Sequence, residues 1–278
     1  GNGEFHAPAT TANTILHKQV RVGNAPNTPE AGCNVFEIRQ TPHTFGAGLL
    51  EAISAETIRA NADPNDDDSD GISGRVNDLG DGRIGRFGWK ADVPNVAEFV
   101  RDATGAELGI TLPEQAGLTF GITADVDGTA DPELPVSDAE DLAFFMQMLA
   151  PPPRDMTGDA AEIAAGEALF ATVGCTKCHM PSLAGSPGDV PLFSDLLLHE
   201  ILPEGTAGIK SANAQQREFR TAPLWGLSRT APYFHNGAAD TIEEAILMHD
   251  GEAATIRAAY EALSASEKAA LLAFLDSL

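Results

Sequence analysis

The stretch GCTKCHMP, residues 174–181, contains three side chains that bind metals or prosthetic groups. Cys175, Cys178 and His179 fall on the pattern C-x-x-C-H, which occurs once in the 278 residues. Two thiols and an imidazole at this spacing can serve a zinc site, thiol–disulfide exchange or the covalent attachment of haem. The pattern therefore limits the chemistry of this segment to three kinds.

The rest of the sequence favours one of the three. Structural zinc needs about four ligands, and no second Cys/His pair stands at ligand spacing. Redox C-x-x-C motifs follow a strand and open a helix, a context that the flanking residues do not indicate. Haem attachment explains the third residue, because Cys175 and Cys178 would form thioethers to the vinyl groups and His179 would be the proximal iron ligand. The pattern predicts one covalent haem c.

Haem iron also takes a sixth ligand, or keeps an open face where it is catalytic. The residues alone do not choose the ligand, since a single histidine is more often structural than metal-bound. The downstream candidates are Met180, His199, His235, Met248 and His249.

Composition and charge exclude several classes of protein. Hydrophobic residues make up 43 % of the chain, which is typical of a globular protein with one large or two ordinary domains. The sequence has no apolar run of membrane-spanning length, so no membrane span is expected. A formal charge of −24 argues against nucleic acid as a partner. The acidity indicates either solubility alone or a surface that attracts a basic redox partner protein or Ca²⁺.

The proline-rich stretch LAPPPRDMTGD, residues 149–159, predicts a domain boundary, because consecutive prolines cannot continue a helix. We expect an all-α protein with a loop-rich helical N-terminal domain at 1–150 and a cytochrome-c-like domain with long loops at 157–278. Gly166 and Phe170 mark the predicted crossing of the first and last helices of the second domain. Capping boxes predict three helix starts, at Ser137 with Glu140, Thr241 with Glu244, and Ser264 with Glu267.

Four segments in order, GCTKCHMPSL, FSDLLLHE, EFRTAPLWGL and APYFHNGAADTIEEAILMHDGEA, resemble the bacterial di-haem oxidoreductases. This family of peroxidase relatives is often labelled thiol oxidoreductase. TPHTFGAGLLEAI, DGISGRVND and GRFGWKA extend the resemblance, which covers roughly residues 40–278. It implies a haem protein that exchanges electrons with a small redox partner such as a cytochrome. Because haem c is attached outside the bacterial cytoplasm, we expect the protein to be periplasmic or otherwise exported. Thiol oxidation itself has no support at the level of residues.

The resemblance also implies a ligand set. In the peroxidase relatives a distal ligand follows the PYFH-x-G histidine, here His235, and the same offset of fourteen residues leads to His249. Histidine at that position implies a bis-histidine, low-spin haem, with the neighbouring Met248 as the rival ligand. His235 is expected to shape the pocket through hydrogen bonding. His199 stands where the family more usually has His-Asp-Met-Gly, and its role stays open.

Full-length members of the family carry a second C-x-x-C-H near the N-terminus, and this sequence has none. The chain is then either a C-terminal portion or a natural single-haem variant. We expect electron transfer within a di-haem oxidoreductase framework. The alternatives are a di-haem peroxidase whose first haem segment lies outside this chain, and a calcium- or partner-binding scaffold. Trp89 resembles the tryptophan between the two haems of the peroxidases, but with one haem motif core packing is the expectation.

The acidic segment 63–78 contains D-x-D-x-D-G at Asp66, Asp68 and Asp70, the start of an EF-hand-type calcium loop. Its closing position is Asn77 in place of a bidentate glutamate, so a calcium site here would be of modest affinity. The alternative is a solvated acidic turn. Cys33 stands apart from the motif, as a buried thiol or as the partner of a cysteine elsewhere.

Overall fold

Helices and long loops make up most of the computed structural model, which describes residues 3–8, 16–18 and 33–278. Within these ranges the α-helices are α1 Ala47–Ala52, α2 Ala55–Ala60, α3 Val96–Leu108, α4 Val136–Met148, α5 Ala160–Val173, α6 Ile242–Met248, α7 Ala254–Glu261 and α8 Ala265–Asp276. None of these helices has the length and apolar character that a membrane crossing needs. The environment of the Cys33 side chain lies outside the described part of the structure.

The protein is helix-rich, but the all-α prediction holds only in part, because three small antiparallel sheets are present. The first has the strand order β2-β1-β3, and the other two pair β4 with β5 and β6 with β7. The last four strands are three residues long, which is too short for alternating burial to show in the sequence. The strands are β1 Gly3–Pro8, β2 Leu16–Lys18, β3 Cys33–Arg39, β4 Leu183–Gly185, β5 Gly188–Val190, β6 Leu198–Glu200 and β7 Glu218–Arg220.

Two of the three predicted capping boxes are confirmed. Thr241 and Ser264 each accept a hydrogen bond from the backbone amide of the glutamate three residues later, and each donates its own backbone amide to the carboxylate of that glutamate. The box predicted at Ser137 is wrong. Helix α4 begins one residue earlier, after Pro135, so Ser137 already lies in the first turn and its hydroxyl contacts the Asp138 carboxylate at 3.3 Å.

The crossing of α5 and α8 is confirmed at the predicted residues. A Cβ added to Gly166 would lie 1.9 Å from the Ala270 carbonyl oxygen, so only glycine allows this approach of the two backbones. One turn further on, the Phe170 and Phe274 rings pack with centroids 5.3 Å apart. These contacts belong to a hydrophobic cluster that lies beneath the cysteine motif.

A second hydrophobic cluster draws on residues from both sides of the proline-rich segment. Ile53, Phe87 and Val96 come from before it, whereas Leu192 and Trp225 come from after it. The two parts of the chain therefore share one of the two main clusters. The division into domains at 1–150 and 157–278 stays a prediction.

Candidate haem site

The loop that carries the cysteines begins where α5 ends. Gly174 has a φ of 104°, in the left-handed region that favours glycine, and this residue turns the chain out of the helix. One turn of 3₁₀ helix follows over Cys175–Lys177, and the His179 amide donates to the Cys175 carbonyl at 2.9 Å. Both thiols are free and half-buried. Burial raises the pKa of Cys175 to about 12, which is opposite to what a thiol–disulfide exchange motif requires.

His179 is held in one tautomer by the main chain. Its Nδ1 lies 2.8 Å from the Phe193 carbonyl oxygen, and because a carbonyl can only accept, Nδ1 carries the proton. The lone pair of the neutral ring is then on Nε2. Burial lowers the pKa of His179 to about 4, so the ring is neutral at physiological pH. A neutral imidazole with a fixed tautomer is the form that binds a metal.

His249 is held in the same way by its own helix. The residue lies at the C-terminal cap of α6, and its Nδ1–H donates to the Ala245 carbonyl at 2.7 Å. Burial lowers the pKa of His249 as well, and the lone pair is again on Nε2. The Phe234 ring packs edge-on against this imidazole with centroids 5.3 Å apart.

A cavity of about 240 Å³ brings these residues together. Cys175, Cys178, His179 and His249 all line it. Neither Met180 nor Met248 does, which removes geometric support for a methionine as the second ligand. Most of the remaining wall is apolar, with contributions from Phe170, Leu224, Leu227, Ile242, Ile246, Ile256 and Leu271. The cavity thus combines two thiols, two imidazoles with available Nε2 atoms and a largely water-excluding wall.

A family model described as "Di-haem oxidoreductase, putative peroxidase" matches residues 34–278. The chain belongs to this family. Among curated proteins, the chain is similar to cytochrome-c peroxidase IdrP2 of Pseudomonas sp. (strain SCT), with 31 % identity over 154 residues. That alignment covers 45 % of this chain and 41 % of the relative, so the chain matches about two fifths of the relative's length.

Two solved structures are similar in outline. One is a MauG-like protein associated with microbial copper homeostasis, with a TM-score of 0.44, 16 % identity, and coverage of 86 % of this chain and 91 % of that one. The other is a hydrazine synthase from Kuenenia stuttgartiensis pressurized with xenon, with a TM-score of 0.34, 16 % identity, and coverage of 96 % and 100 %. Neither similarity bears on function.

The side chains around the cavity fit the cofactor that the family's name states. Haem c needs two thiols at C-x-x-C spacing, an adjacent histidine with a free nitrogen and an apolar surface for the porphyrin. Cys175, Cys178 and His179 supply the first two, and the wall of the cavity supplies the third. His249 is a second nitrogen donor on the same cavity.

His199, one of the candidate iron ligands, has both ring nitrogens in use. Its Nε2 lies 2.9 Å from Asp195 Oδ2, and its Nδ1 lies 3.2 Å from Glu252 Oε2 and 3.8 Å from Cys178 Sγ. Burial alone would lower the pKa of His199, but bonds to Asp195, Cys178 and Glu252 outweigh it and hold the pKa well above its usual range. His199 is therefore a buried imidazolium between two carboxylates, without a lone pair to offer.

His235 lines the cavity, but its ring is placed by stacking and not by the expected hydrogen bonding. It packs on the Phe219 ring with centroids 4.0 Å apart, and Nδ1 has no hydrogen-bond partner among the described residues. Burial, with the nearby charges of Lys90 and Arg39, lowers the pKa of His235 to about 3. Its proposed role as a cofactor-binding residue stays a prediction.

Trp89 also lines the cavity and is fixed at its edge. The indole Nε1–H donates to the Gln40 carbonyl at 2.6 Å, and this bond holds the ring in its place at the wall of the cavity.

The structure gathers part of the predicted calcium set and separates the rest. Carboxylate oxygens of Asp63, Asp66 and Asp68 lie within 4.8 Å of one another, whereas Asp70 forms an ion pair with Lys177 of the cysteine loop at 3.0 Å. Asn77 lies elsewhere, because its side chain is buried: Nδ2 donates to the Lys90 carbonyl and Oδ1 accepts from the Asn213 amide. Asp70 and Asn77 therefore lie apart from the other two predicted residues, and Asp63, which the sequence pattern did not include, lies near Asp66 and Asp68 instead. Calcium binding in this segment stays a prediction.

Several residues were not found by the sequence patterns. The spacing of Asp195 and His199 within FSDLLLHE is a signal for a local pair, but Glu252 joins them from 53 residues away. A second group of carboxylates is formed by Asp125 and Asp127, which lie in a D-x-D-G segment, and by Glu133. Exposed acidic groups of this kind are common without an ion.

Proposed function

We propose that this chain is an exported c-type cytochrome of the di-haem oxidoreductase family that transfers electrons through one covalently bound haem. Thioethers at Cys175 and Cys178 would hold the porphyrin, and His179 and His249 would be the axial ligands. One observation carries this proposal: both imidazoles give their Nδ1 protons to main-chain carbonyls and face one cavity with Nε2 available.

The haem supplies a one-electron couple, and the residues of the chain decide how it is used. The apolar wall keeps water from the porphyrin, which favours the less charged ferrous state. Main-chain carbonyls orient both imidazoles, so each presents nitrogen without first losing a proton. If His179 and His249 both bind the iron, this chain would leave no open coordination position, an arrangement that suits electron transfer better than peroxide binding.

The test is production of the protein with cytochrome c maturation machinery, followed by denaturing mass spectrometry and absorption spectroscopy. The mass should include one haem, and the spectrum should be low-spin. His249→Ala should give a high-spin spectrum that responds to CO or cyanide. His43→Ala is the matched control, since His43 also lines the cavity but stacks on Phe45, and it should leave the spectrum low-spin. A haem-free mass would contradict the attachment, and a low-spin His249→Ala protein would contradict the ligand.

A di-haem peroxidase is the second candidate, favoured by the curated relative, which is a cytochrome-c peroxidase matched over 41 % of its length. In this case the first haem would lie on a segment outside this chain. Steady-state peroxide reduction with a reduced cytochrome as donor, by this chain alone and by any longer product of the same gene, separates the candidates. We expect negligible turnover from both, because one haem stores one electron whereas peroxide reduction needs two. Turnover of about ten per second, an ordinary enzyme rate, in the longer product would favour the peroxidase.

A calcium- or partner-binding scaffold is the third alternative, and the same absorption spectrum excludes it if haem is bound. Calcium at Asp63, Asp66 and Asp68 has a separate test. A ligand that binds the native state alone raises stability by about 2.7 kcal/mol at a hundred-fold excess over its dissociation constant. If neither a chelator nor added calcium changes the melting temperature, the segment is a solvated acidic turn without a calcium site.

A further inference from the structure

One end of the cavity is polar, and its residues belong to a single hydrogen-bonded patch. The Trp89 indole donates to the Gln40 carbonyl at 2.6 Å, the Gln40 amide donates to the His235 carbonyl at 2.6 Å, and the Arg220 amide donates to the Trp89 carbonyl at 2.8 Å. Side chains of all four residues line the cavity. We call this patch, Gln40, Trp89, Arg220 and His235, the polar end.

Arg220 is a buried cation whose guanidinium lacks an anionic partner. The residue is 8 % exposed, Nε donates to the Gly88 carbonyl at 3.2 Å, and Nη1 donates to the Thr221 carbonyl at 3.1 Å. Among the described residues, no carboxylate is within ion-pair distance and Nη2 has no hydrogen-bond partner. Arg257 lines the same cavity and shows the contrast, because it is paired with Asp250 at 2.9 Å.

A buried charge without a directly bonded opposite charge is unfavourable. Asp195 and Asp92 favour the charged form of Arg220 from beyond ion-pair distance, and the guanidinium can still take a directly bonded anion. Burial lowers the pKa of Arg220 to about 10, which leaves it charged at neutral pH. Lys90 is a second buried basic group nearby, with Nζ 3.8 Å from the centroid of the Phe219 ring that stacks on His235, and burial lowers its pKa to about 7. Two basic groups, Arg220 and Lys90, thus lie at or near the polar end, and the Asp92 carboxylate acts on both of them.

Lys90 itself is not available to bind an anion. Its ammonium has three donors, and these are taken by the carbonyls of Gln215, Gln216 and Glu218, each at 2.8 Å. His235 is neutral and offers no charge. Arg220 is therefore the member of this group that has both charge and unused donors.

We propose that Arg220 binds a carboxylate of the cofactor, a haem propionate, at the polar end of the cavity. This inference rests on the proposed function, since the haem supplies the carboxylate. A planar guanidinium matches a carboxylate with two parallel hydrogen bonds, and Nη2 together with the second proton of Nη1 is free to form them. The carboxylate would compensate the buried positive charge of Arg220. The guanidinium would in turn offset the negative charge of the propionate, which favours the ferrous state of the iron.

The experiment measures the reduction potential of the haem-loaded protein in four forms: wild type, Arg220→Gln, Arg220→Lys and Arg101→Gln. Arg101 is the matched control, because it is 3 % exposed, donates to the carbonyls of Phe120 and Pro113 and does not line the cavity. Arg220→Gln should keep its covalent haem and shift the ferric-to-ferrous ratio at a fixed potential about tenfold toward ferric, which is 59 mV for one electron. The reduction potential of Arg220→Lys should lie between those of the wild type and Arg220→Gln, and that of Arg101→Gln should equal the wild-type value.

The outcomes separate this inference from the function on which it rests. Wild-type protein without covalent haem would overturn both. Haem-loaded wild type with an unchanged potential in Arg220→Gln would overturn the Arg220 assignment alone, as would an equal shift in Arg101→Gln. If Arg220→Gln does not fold, Arg220→Lys decides, because it keeps the charge and loses the planar fork. A wild-type potential in that variant would overturn the assignment.

Discussion

Glu252 joins three segments of the chain through one carboxylate. Oε1 accepts from the Ser73 hydroxyl at 2.8 Å and from the Glu200 amide at 3.2 Å, and Oε2 accepts from the Ser73 amide at 2.9 Å and from His199. Burial alone would raise the pKa of Glu252, but bonds from His199, Ser73 and Glu200 outweigh it and lower the pKa to about 2. Glu252 thus ties the acidic segment and strand β6 to the turn that follows His249.

Replacing Glu252 by glutamine should reduce stability in a pH-dependent way. A pKa lowered from 4.5 to about 2 contributes stability that is present above the unfolded value and is lost as pH falls through the folded value. The difference corresponds to roughly 3 kcal/mol at neutral pH. Urea unfolding of Glu252→Gln should show a deficit of about 2–3 kcal/mol at pH 7 that shrinks between about pH 5 and pH 2.

The exposed Glu261→Gln is the control for this series, and it should unfold like the wild type at every pH. A Glu252→Gln deficit of constant size across the pH range would show that the lowered pKa is not its source.

Some single residues of the site could be predicted from the sequence, and others could not. The motif and the offset from His235 pointed to His179 and His249, and the structure places both on one cavity. The state of His199 could not be inferred, because one of its two carboxylate partners is 53 residues away in the chain. Arg220 likewise lies in EFRTAPLWGL, and no residue of that segment indicates that the guanidinium is buried without a directly bonded carboxylate among the described residues. Residues that come into contact only when the chain folds are far apart in sequence, so no local spacing reveals their interaction.

At the scale of elements, the crossing of α5 and α8 fixes where the cysteine loop begins. Helix α5 ends at Val173, directly before Gly174 and the first cysteine, and its packing against α8 sets its position. Gly166 is the point of closest approach. The geometry of the cysteine loop therefore depends on a contact two turns away.

Gly166→Ala should destabilise the protein despite the better helix propensity of alanine. The added Cβ would lie 1.9 Å from the Ala270 carbonyl oxygen, so the helices must separate, and overpacking of this kind costs about 1–3 kcal/mol. Thermal unfolding of Ala165→Ser, a change on the exposed face of the same helix, is the control and should differ from wild type by a few tenths of a kcal/mol. An unchanged melting temperature for Gly166→Ala would contradict the close approach.

Elements with strong local signals were predictable, and short ones were not. Thr241 and Ser264 begin helices because each forms two reciprocal side-chain-to-backbone hydrogen bonds with the glutamate three residues later. Both partners lie within four residues of sequence, so the pattern is visible locally. Ser137 has the same spacing, but Pro135 starts the helix earlier. Strands of three residues are set by their partners, as β6 is by β7, and carry no periodic pattern of their own.

At the scale of the whole molecule, the charge of −24 should govern encounter with a redox partner. Exposed charges attract over about 30 Å at 10 mM ionic strength but over about 8 Å at 0.15 M. Stopped-flow electron transfer from a reduced basic cytochrome should slow by about tenfold over this range. With an acidic cytochrome the same addition of salt should raise the rate. Equal salt dependence for both donors would mean that the net charge serves solubility alone.

The hydrogen bonds of His179 and His249 have an evolutionary consequence. Both acceptors are main-chain carbonyls, at Phe193 and Ala245, and every amino acid provides such a carbonyl. Mutations that replace either side chain leave the acceptor in place, provided that the backbone keeps its course. The tautomers of the two imidazoles are thus set by the course of the backbone, and the side chains at 193 and 245 are free to vary without a compensating change elsewhere.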